Sequence, residues 1–279
     1  MFGKFILVKV RGRLGNQLFQ IAFAKAMGKQ LNCFVFFDTD QQFVWNQYFS
    51  APWSFKTVNQ VMTILLKKIF IRKKYFSPIS VSNDCLAKLS EISIPNVVFQ
   101  GYFQSSYYFS SLSLADEMFT VRPSIMNHFY TKYNSLLKEQ GIAYVHIRRS
   151  DYVNIRKHQL GDSEITLPAD YYNACLMKLD PGKRKRIIVL SDDILWVKQH
   201  IKWATEFVHS TELMFDFLLM MHAETLIISN STFAWWAAYL NKNAKTIFAP
   251  MYFLGYNSLK EYPAGIMSGT QFQWIHHVQ

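Results

Sequence analysis

The sequence predicts an α/β protein built on doubly wound parallel sheets. Beyond Asp151, helical segments alternate with short apolar runs: helix 169–179 before strand 187–190, helix 194–202 before strand 206–208, helix 212–222 before strand 226–228, and helix 233–240 before strand 246–248. Strands separated by helices of about ten residues imply βαβ units and parallel pairing. The polar clusters fall at the strand ends: His146 to Asp151, Ser191-Asp192-Asp193, Ser210-Thr211 and Ser229-Asn230-Ser231-Thr232. At 279 residues the chain accommodates two compact domains, with the division expected near residue 140, giving 1–140 and 141–279.

Residues 1–10 read as a first strand, too short and too interrupted by lysine for a secretory leader. They feed Arg11-Gly12-Arg13-Leu14-Gly15-Asn16-Gln17 and a helix over 18–31. Two glycines around a strand-to-helix turn let backbone approach a ligand, and the helix N-terminus adds N–H donors. Gly12, Arg13, Gly15 and Gln17 are therefore candidate ligand contacts, with a plain structural turn as the alternative. The third glycine of G-x-G-x-x-G is missing, although Asp38 ends the next apolar run, so the nicotinamide dinucleotide fingerprint is incomplete.

Residues 33–37 form a second strand, and Asp38-Thr39-Asp40 follows it. Such a triplet could hold a divalent metal, but polar residues ending a strand and capping a helix explain it more simply. Between 57 and 76, Val58, Val61, Met62, Leu65, Leu66, Ile69 and Phe70 recur at helical spacing beside Lys67, Lys68, Arg72, Lys73 and Lys74. This amphipathic basic helix either packs on the domain or docks on an anionic membrane surface. A strand at 97–100 runs into Gly101-Tyr102-Phe103-Gln104-Ser105-Ser106-Tyr107-Tyr108-Phe109, an aromatic cluster suited to sugar stacking or to core packing. A helix over 124–140 and Gly141 then lead to the central strand.

That strand, Ala143-Tyr144-Val145-His146-Ile147, ends abruptly in Arg148-Arg149-Ser150-Asp151-Tyr152. In open α/β sheets ligands bind outside the carboxyl ends of the strands, which puts Arg148 and Arg149 where an anion would sit. The planar guanidinium fork matches phosphate oxygens two at a time. The competing explanation is an exposed turn with Arg149 paired to Asp151. Arginines, carboxylates and a hydroxyl-rich helix N-terminus lining one crevice have the chemistry of a nucleotide site. Asp192 and Asp193 serve either as helix caps or in base recognition, and Ser229 to Thr232 are expected to cap the helix that follows. Trp235 and Trp236 read as core, with one of them bordering the cleft as the alternative because a single helical face cannot hold both. Lys183-Arg184-Lys185-Arg186 precedes a strand at the opposite end of the sheet and reads as solvated surface.

The net charge of +11 calls for anionic partners, whether nucleotide, nucleic acid or membrane. A nucleic-acid module would not need the strand-end constellation, so no nucleic acid is expected. Cys33, Cys85 and Cys175 are odd in number and widely spaced, which argues against a disulfide framework or a cysteine zinc site. A reducing, cytoplasmic setting follows as an expectation.

With these residues in view, the chain resembles the bacterial and animal α-1,2-fucosyltransferases of glycosyltransferase family 11. The resemblance rests on Gly12-Arg13-Leu14-Gly15-Asn16-Gln17-Leu18-Phe19-Gln20, Gly101-Tyr102-Phe103-Gln104-Ser105, His146-Ile147-Arg148-Arg149-Ser150-Asp151-Tyr152, Leu190-Ser191-Asp192-Asp193 and Ile228-Ser229-Asn230-Ser231-Thr232-Phe233-Ala234-Trp235-Trp236, five motifs in the family's order. Ser150 stands where glycine is common, and Ala237-Ala238 replaces the more usual Gly-Ala; all are small. The resemblance implies a GT-B-like fold, two Rossmann-like domains facing across a cleft, with the donor held mainly by the C-terminal one. It implies inverting transfer of L-fucose from GDP-β-L-fucose to the 2-OH of a galactoside glycan, with neither metal nor other cofactor.

By the same resemblance Arg148 contacts the β-phosphate and leaving oxygen, and His146 with Asp192 or Asp193 reads guanine. Arg149, Asp151 and the stretch from Ser229 through Phe233 line the donor site, and Asn16 reaches the reacting centre from the other domain. The general base stays open among Asp38, Asp151, Asp170 and Asp216. A lipid-linked acceptor and work at the inner face of the membrane would suit the basic helix.

Overall fold

The structure, a computed structural model, describes residues 4–40, 42–50, 61–65, 77–87, 96–110, 112, 119–155, 160, 164–208 and 212–276. The chain divides into two compact units, Met1–Arg122 and Pro123–Gln279.

The first unit holds β1 (Phe5–Val10), α1 (Leu14–Leu31), β2 (Phe34–Thr39), β3 (Ser77–Ser80) and β4 (Val97–Gln100). Its four strands are all parallel and ordered β2-β1-β4-β3. Apolar residues fill both faces of β1, as a strand covered on both sides requires. Helix α1 starts at Leu14 instead of residue 18, so Gly15, Asn16 and Gln17 belong to its first turn. Edge strand β3 is not legible in the sequence because Pro78 interrupts it; proline removes a ladder donor and is tolerated at an edge. Of the basic helix expected over 57–76, residues 61–65 are helical, and Thr63 Oγ1 donates to the Phe37 carbonyl at 3.1 Å. Val61, Ile64 and Leu65 are exposed there, and Lys67, Lys68, Arg72, Lys73 and Lys74 lie outside the described residues.

The second unit contains α2 (Pro123–Leu137), β5 (Ile142–Ile147), α3 (Ala169–Met177), β6 (Arg186–Ser191), α4 (Ile194–His200), β7 (Glu206–Val208), α5 (Leu213–His222), β8 (Thr225–Ile227), α6 (Thr232–Leu240), β9 (Thr246–Pro250) and β10 (Gln273–Ile275). The strands, all parallel, are ordered β10-β9-β8-β5-β6-β7. The chain builds outward from β5 to β7, crosses back to β8 and builds outward again, which is the Rossmann order with its switch point between β5 and β8.

Helix α2 belongs to this unit because buried Phe129 packs on Phe215 and His222 of α5, with ring centroids 5.9 and 5.5 Å apart. The division consequently falls between Arg122 and Pro123, earlier than residue 140. Both tryptophans of α6 are core and neither borders a cleft: they are fully buried, Trp235 stacking on Tyr239 at 4.6 Å and packing on Phe272 at 5.5 Å. A helix apolar all round is covered all round. At the far end of the sheet Arg186 bridges Glu139 and Glu206.

Candidate functional site

The carboxyl ends of β5, β6 and β8 bring the polar clusters together. β5 is buried throughout, and the chain turns straight into a 3-10 helix, Ser150–Asn154. Past β6, Asp192 organises the crevice: its Oδ1 accepts from the Arg149 backbone N–H at 2.9 Å, and its Oδ2 accepts from the Ser150 hydroxyl and pairs with Arg148 Nη1 at 2.7 Å. Arg148 Nη2 lies 2.5 Å from Asp151 Oδ1, so two carboxylates hold one guanidinium whose side chain keeps 21% of its surface exposed.

Arg149 is placed differently. Its side chain is 12% exposed, its guanidinium lies 4.0 Å from the Trp196 ring centroid, and its Nε sits 3.5 Å from Asp193 Oδ2 without making a hydrogen bond. Arg149 thus packs into the wall of the crevice, and Arg148 is the more exposed arginine of the two. Asp193 takes the capping role, accepting from the Trp196 N–H at 3.0 Å at the start of α4.

His146 lies buried across the β5–β8 junction, its Nδ1 2.8 Å from Ser229 Oγ. Burial lowers its pKa to about 4, so the ring is neutral at neutral pH. Ser229, Asn230 and Ser231 are buried. Asn230 Nδ2 donates to the Ile165 carbonyl at 2.6 Å, whereas its Oδ1 is buried with no hydrogen-bond partner. Contrary to the capping expected of this stretch, Ser231 occupies the N-cap position of α6 without a side-chain capping bond, while Ser229 turns to His146 and Asn230 to the Ile165 carbonyl. Thr232 opens the helix, and Phe233 packs near His146 with ring centroids 6.3 Å apart.

Three aromatic side chains complete the crevice: Tyr152, which closes the arginine motif, and Tyr171 and Trp196, which no sequence reading assigned to it. The Tyr152 hydroxyl donates to the Asn230 carbonyl at 3.3 Å, the Tyr171 hydroxyl donates to the Ile228 carbonyl at 2.8 Å, and Trp196 supports Arg149. Of the two that the sequence reading missed, Trp196 carried a signal, three residues after its capping aspartate. Arg148 and Arg149 face Asp151, Asp192 and Asp193, so the crevice itself has one negative charge in excess.

In the first unit Gly12 has φ +80°, and a Cβ there would lie 2.8 Å from Asn16 Nδ2. Asn16 Oδ1 accepts from Gln104 Nε2 at 2.8 Å. Arg13 is exposed, whereas Gly15 is buried within α1 and makes no part of a loop. Gln17 is structural: its amide donates to the Gly12 and Gln42 carbonyls, and its Oε1 accepts from the Val44 and Trp45 N–H groups at 3.0 Å. Asp38 lies inside β2 and is buried; Arg11 sits 3.5 Å from its Oδ2 and 3.6 Å from Asp40 Oδ2.

Asp170 is exposed on α3 and accepts from Asn173 at 3.3 Å instead of capping. Asp216 has a buried Oδ1 without a hydrogen-bond partner, and burial pushes its pKa to about 7 against the pull of Lys132. Ser210 and Thr211 lie outside the described residues. Among the described residues, no group of three or more His, Cys, Asp or Glu could hold a metal ion, and no helix is long and apolar enough to cross a membrane.

The profile of "Glycosyl transferase family 11" matches residues 93–262. The O-antigen biosynthesis glycosyltransferase WbnK of Escherichia coli is 27% identical over 222 residues, covering 72% of this chain and 68% of that protein. A galactoside 2-alpha-L-fucosyltransferase of Caenorhabditis elegans is 27% identical over 256 residues, covering 84% and 68%. The crystal structure of NodZ α-1,6-fucosyltransferase soaked with GDP-fucose superposes with a TM-score of 0.53 at 13% identity, over 90% of this chain and 96% of that one. At that identity the likeness speaks for the fold, the GT-B fold of two Rossmann-like domains. With five motifs in order and a profile match spanning more than half its length, the chain belongs to glycosyl transferase family 11.

Proposed function

We propose that this enzyme transfers L-fucose from GDP-β-L-fucose to the 2-OH of a terminal galactose in a glycan, inverting the anomeric centre without a metal ion. The observation that carries it is the Arg148 guanidinium, held by Asp151 and Asp192 at the mouth of the β5–β8 crevice. Breaking the fucosyl C–O bond builds negative charge on the departing diphosphate as the sugar becomes oxocarbenium-like, and preorganised donors stabilise that charge. Arg148 and the N–H groups opening α6 supply such donors, the latter without competition from a capping Ser231 side chain. Neutral His146 and the unpartnered Asn230 Oδ1 offer hydrogen-bonding groups to the guanine. Asp192 acts through Arg148 and is a positioning residue. Asn16 is the residue the family resemblance assigns to the reacting centre.

Donor sugar and linkage follow the name of the Caenorhabditis elegans relative, a galactoside 2-alpha-L-fucosyltransferase. Arg11 beside Asp38 and Asp40 already occupies the carboxylates a metal would use. The test is transfer of labelled fucose from GDP-fucose to a panel of β-galactosides, in EDTA and again with manganese. Transfer to the 2-position at an undiminished rate in EDTA is expected. Binding of GDP without fucosylation of any acceptor would overturn the acceptor assignment, and loss of the rate in EDTA with recovery in manganese would overturn the metal-free mechanism.

A further inference from the structure

The loop that follows β4 bears chemistry the donor site does not use. It stands at the carboxyl end of β4 beside that of β1, where the strand order of the first sheet reverses, the place at which ligands enter open α/β sheets. Gln20 ties the two strand ends together, accepting from the Arg11 N–H at 2.8 Å and donating to the Gly101 carbonyl at 2.9 Å.

The loop is rigidly built. Phe103 holds a left-handed φ of +53°, a conformation a bulky residue adopts only when its surroundings dictate it. Here they do: its buried ring stacks on Phe23 at 3.6 Å with planes 2° apart. The same turn sends Gln104 inward to donate to Asn16 and leaves Tyr102 39% exposed. Three residues on, Ser105 Oγ accepts from the Tyr107 N–H at 3.2 Å and opens a 3-10 turn that leaves Tyr107 50% exposed. Tyr108, next to it, is buried, and its hydroxyl accepts from the Ala87 N–H at 3.0 Å. The aromatic run is therefore divided: Phe103, Tyr108 and Phe109 make core, whereas Tyr102 and Tyr107 face water.

The chemistry of the segment selects its ligand. In a chain with a net charge of +11, no charged side chain occurs between Glu91 and Asp116. Phenol rings, amides and hydroxyls without ionic groups suit a neutral polyhydroxy compound, whose C–H faces lie on aromatic rings, and not a nucleotide. We propose that Tyr102 and Tyr107 are the stacking platform for the acceptor saccharide, on the same loop whose Gln104 holds Asn16. This rests on the glycosyl-transfer reading above and adds the residues that choose the acceptor.

Acceptor and donor kinetics separate the two ideas. Wild type, Tyr102→Ala, Tyr107→Ala and Tyr102→Phe are assayed with GDP-fucose against lactose and N-acetyllactosamine, with GDP affinity measured by calorimetry. Both alanine variants should raise the acceptor KM about 10-fold or more with GDP affinity within about twofold of wild type, and Tyr102→Phe should stay near wild type because the ring is kept. Intact GDP binding also reports that the variants fold, and Tyr102→Leu provides bulk without a π face should the alanine variant fail that check. An acceptor KM within about twofold of wild type in both alanine variants would overturn the platform. Should wild type transfer no fucose, the donor reading falls instead, and the platform is judged by saturation-transfer NMR of lactose: signals lost in both alanine variants uphold it, and signals unchanged refute it.

Discussion

Asp192 meets Arg148, the Arg149 backbone and Ser150 at once, and that convergence is why the Arg148 guanidinium has a defined orientation. Orientation, more than charge, is what a bidentate contact to a diphosphate needs. Arg148→Lys keeps the positive charge but gives up the fork, and it should lower kcat about 100-fold or more with the protein still folded. Steady-state turnover with saturating GDP-fucose checks this, and near-normal kcat would remove Arg148 from the role assigned to it. Arg149 carries the same charge one residue later yet lies on Trp196, so a replacement there should act through packing of the wall.

At the scale of elements, the turn from β1 into α1 and the α2–α5 contact each set a measurable expectation. Gly12 has φ +80° and no room for a methyl group beside Asn16, so Gly12→Ala should destabilise the first unit by about 1–2 kcal/mol. Its activity should fall further than its stability, because Asn16 is displaced; denaturant melts read beside turnover separate the two.

In α5, Asp216 has its pKa raised from 3.8 to about 7, so the native state keeps a proton that the unfolded chain releases between those values. Its stabilising contribution is complete below pH 3.8 and is lost as pH rises through 7. His146 runs the other way: with its pKa lowered from 6.5 to about 4, its contribution is present above pH 6.5 and is lost as pH falls through 4. The two oppose each other between about pH 4 and 6.5, which flattens the wild-type profile. Asp216→Asn should be more stable than wild type by about 1–2 kcal/mol at pH 8, the gap closing toward pH 4, and should expose the His146 slope. Thermal melts across pH would show it, and a gap independent of pH would contradict it.

For the whole molecule, charge and site part company. The crevice holds three aspartates against two arginines, while the chain carries +11. On the donor reading proposed above, attraction of a GDP-sugar is a property of the field of the entire protein, which salt screens over a Debye length of about 10 Å at 0.1 M. The donor KM should rise about threefold or more on going from low salt to about 0.5 M, with kcat little changed, because the contacts of Arg148 are short and partly buried. A salt-independent donor KM would place the attraction in the crevice after all.

The alternation of strands and helices after Asp151, the placement of the described polar clusters at strand ends and the position of Arg148 at the carboxyl end of β5 were all legible in the sequence. Hydrophobic periodicity and the carboxyl-end rule are local signals, carried by neighbouring residues. What the sequence could not assign was which polar group does what: that Arg149 lies on Trp196, and that Ser229 turns to His146 instead of capping α6. Edge strand β3 and the inclusion of α2 in the second unit were equally illegible, the first resting on a ladder partner and the second on Phe129 meeting Phe215 and His222. The sequence by itself determined the fold class and the residues gathered at the crevice, because each pattern repeats over a few positions. Only the tertiary structure decided their partners, because His146 and Ser229, or Asn16 and Gln104, lie more than eighty residues apart and meet only once the sheets close.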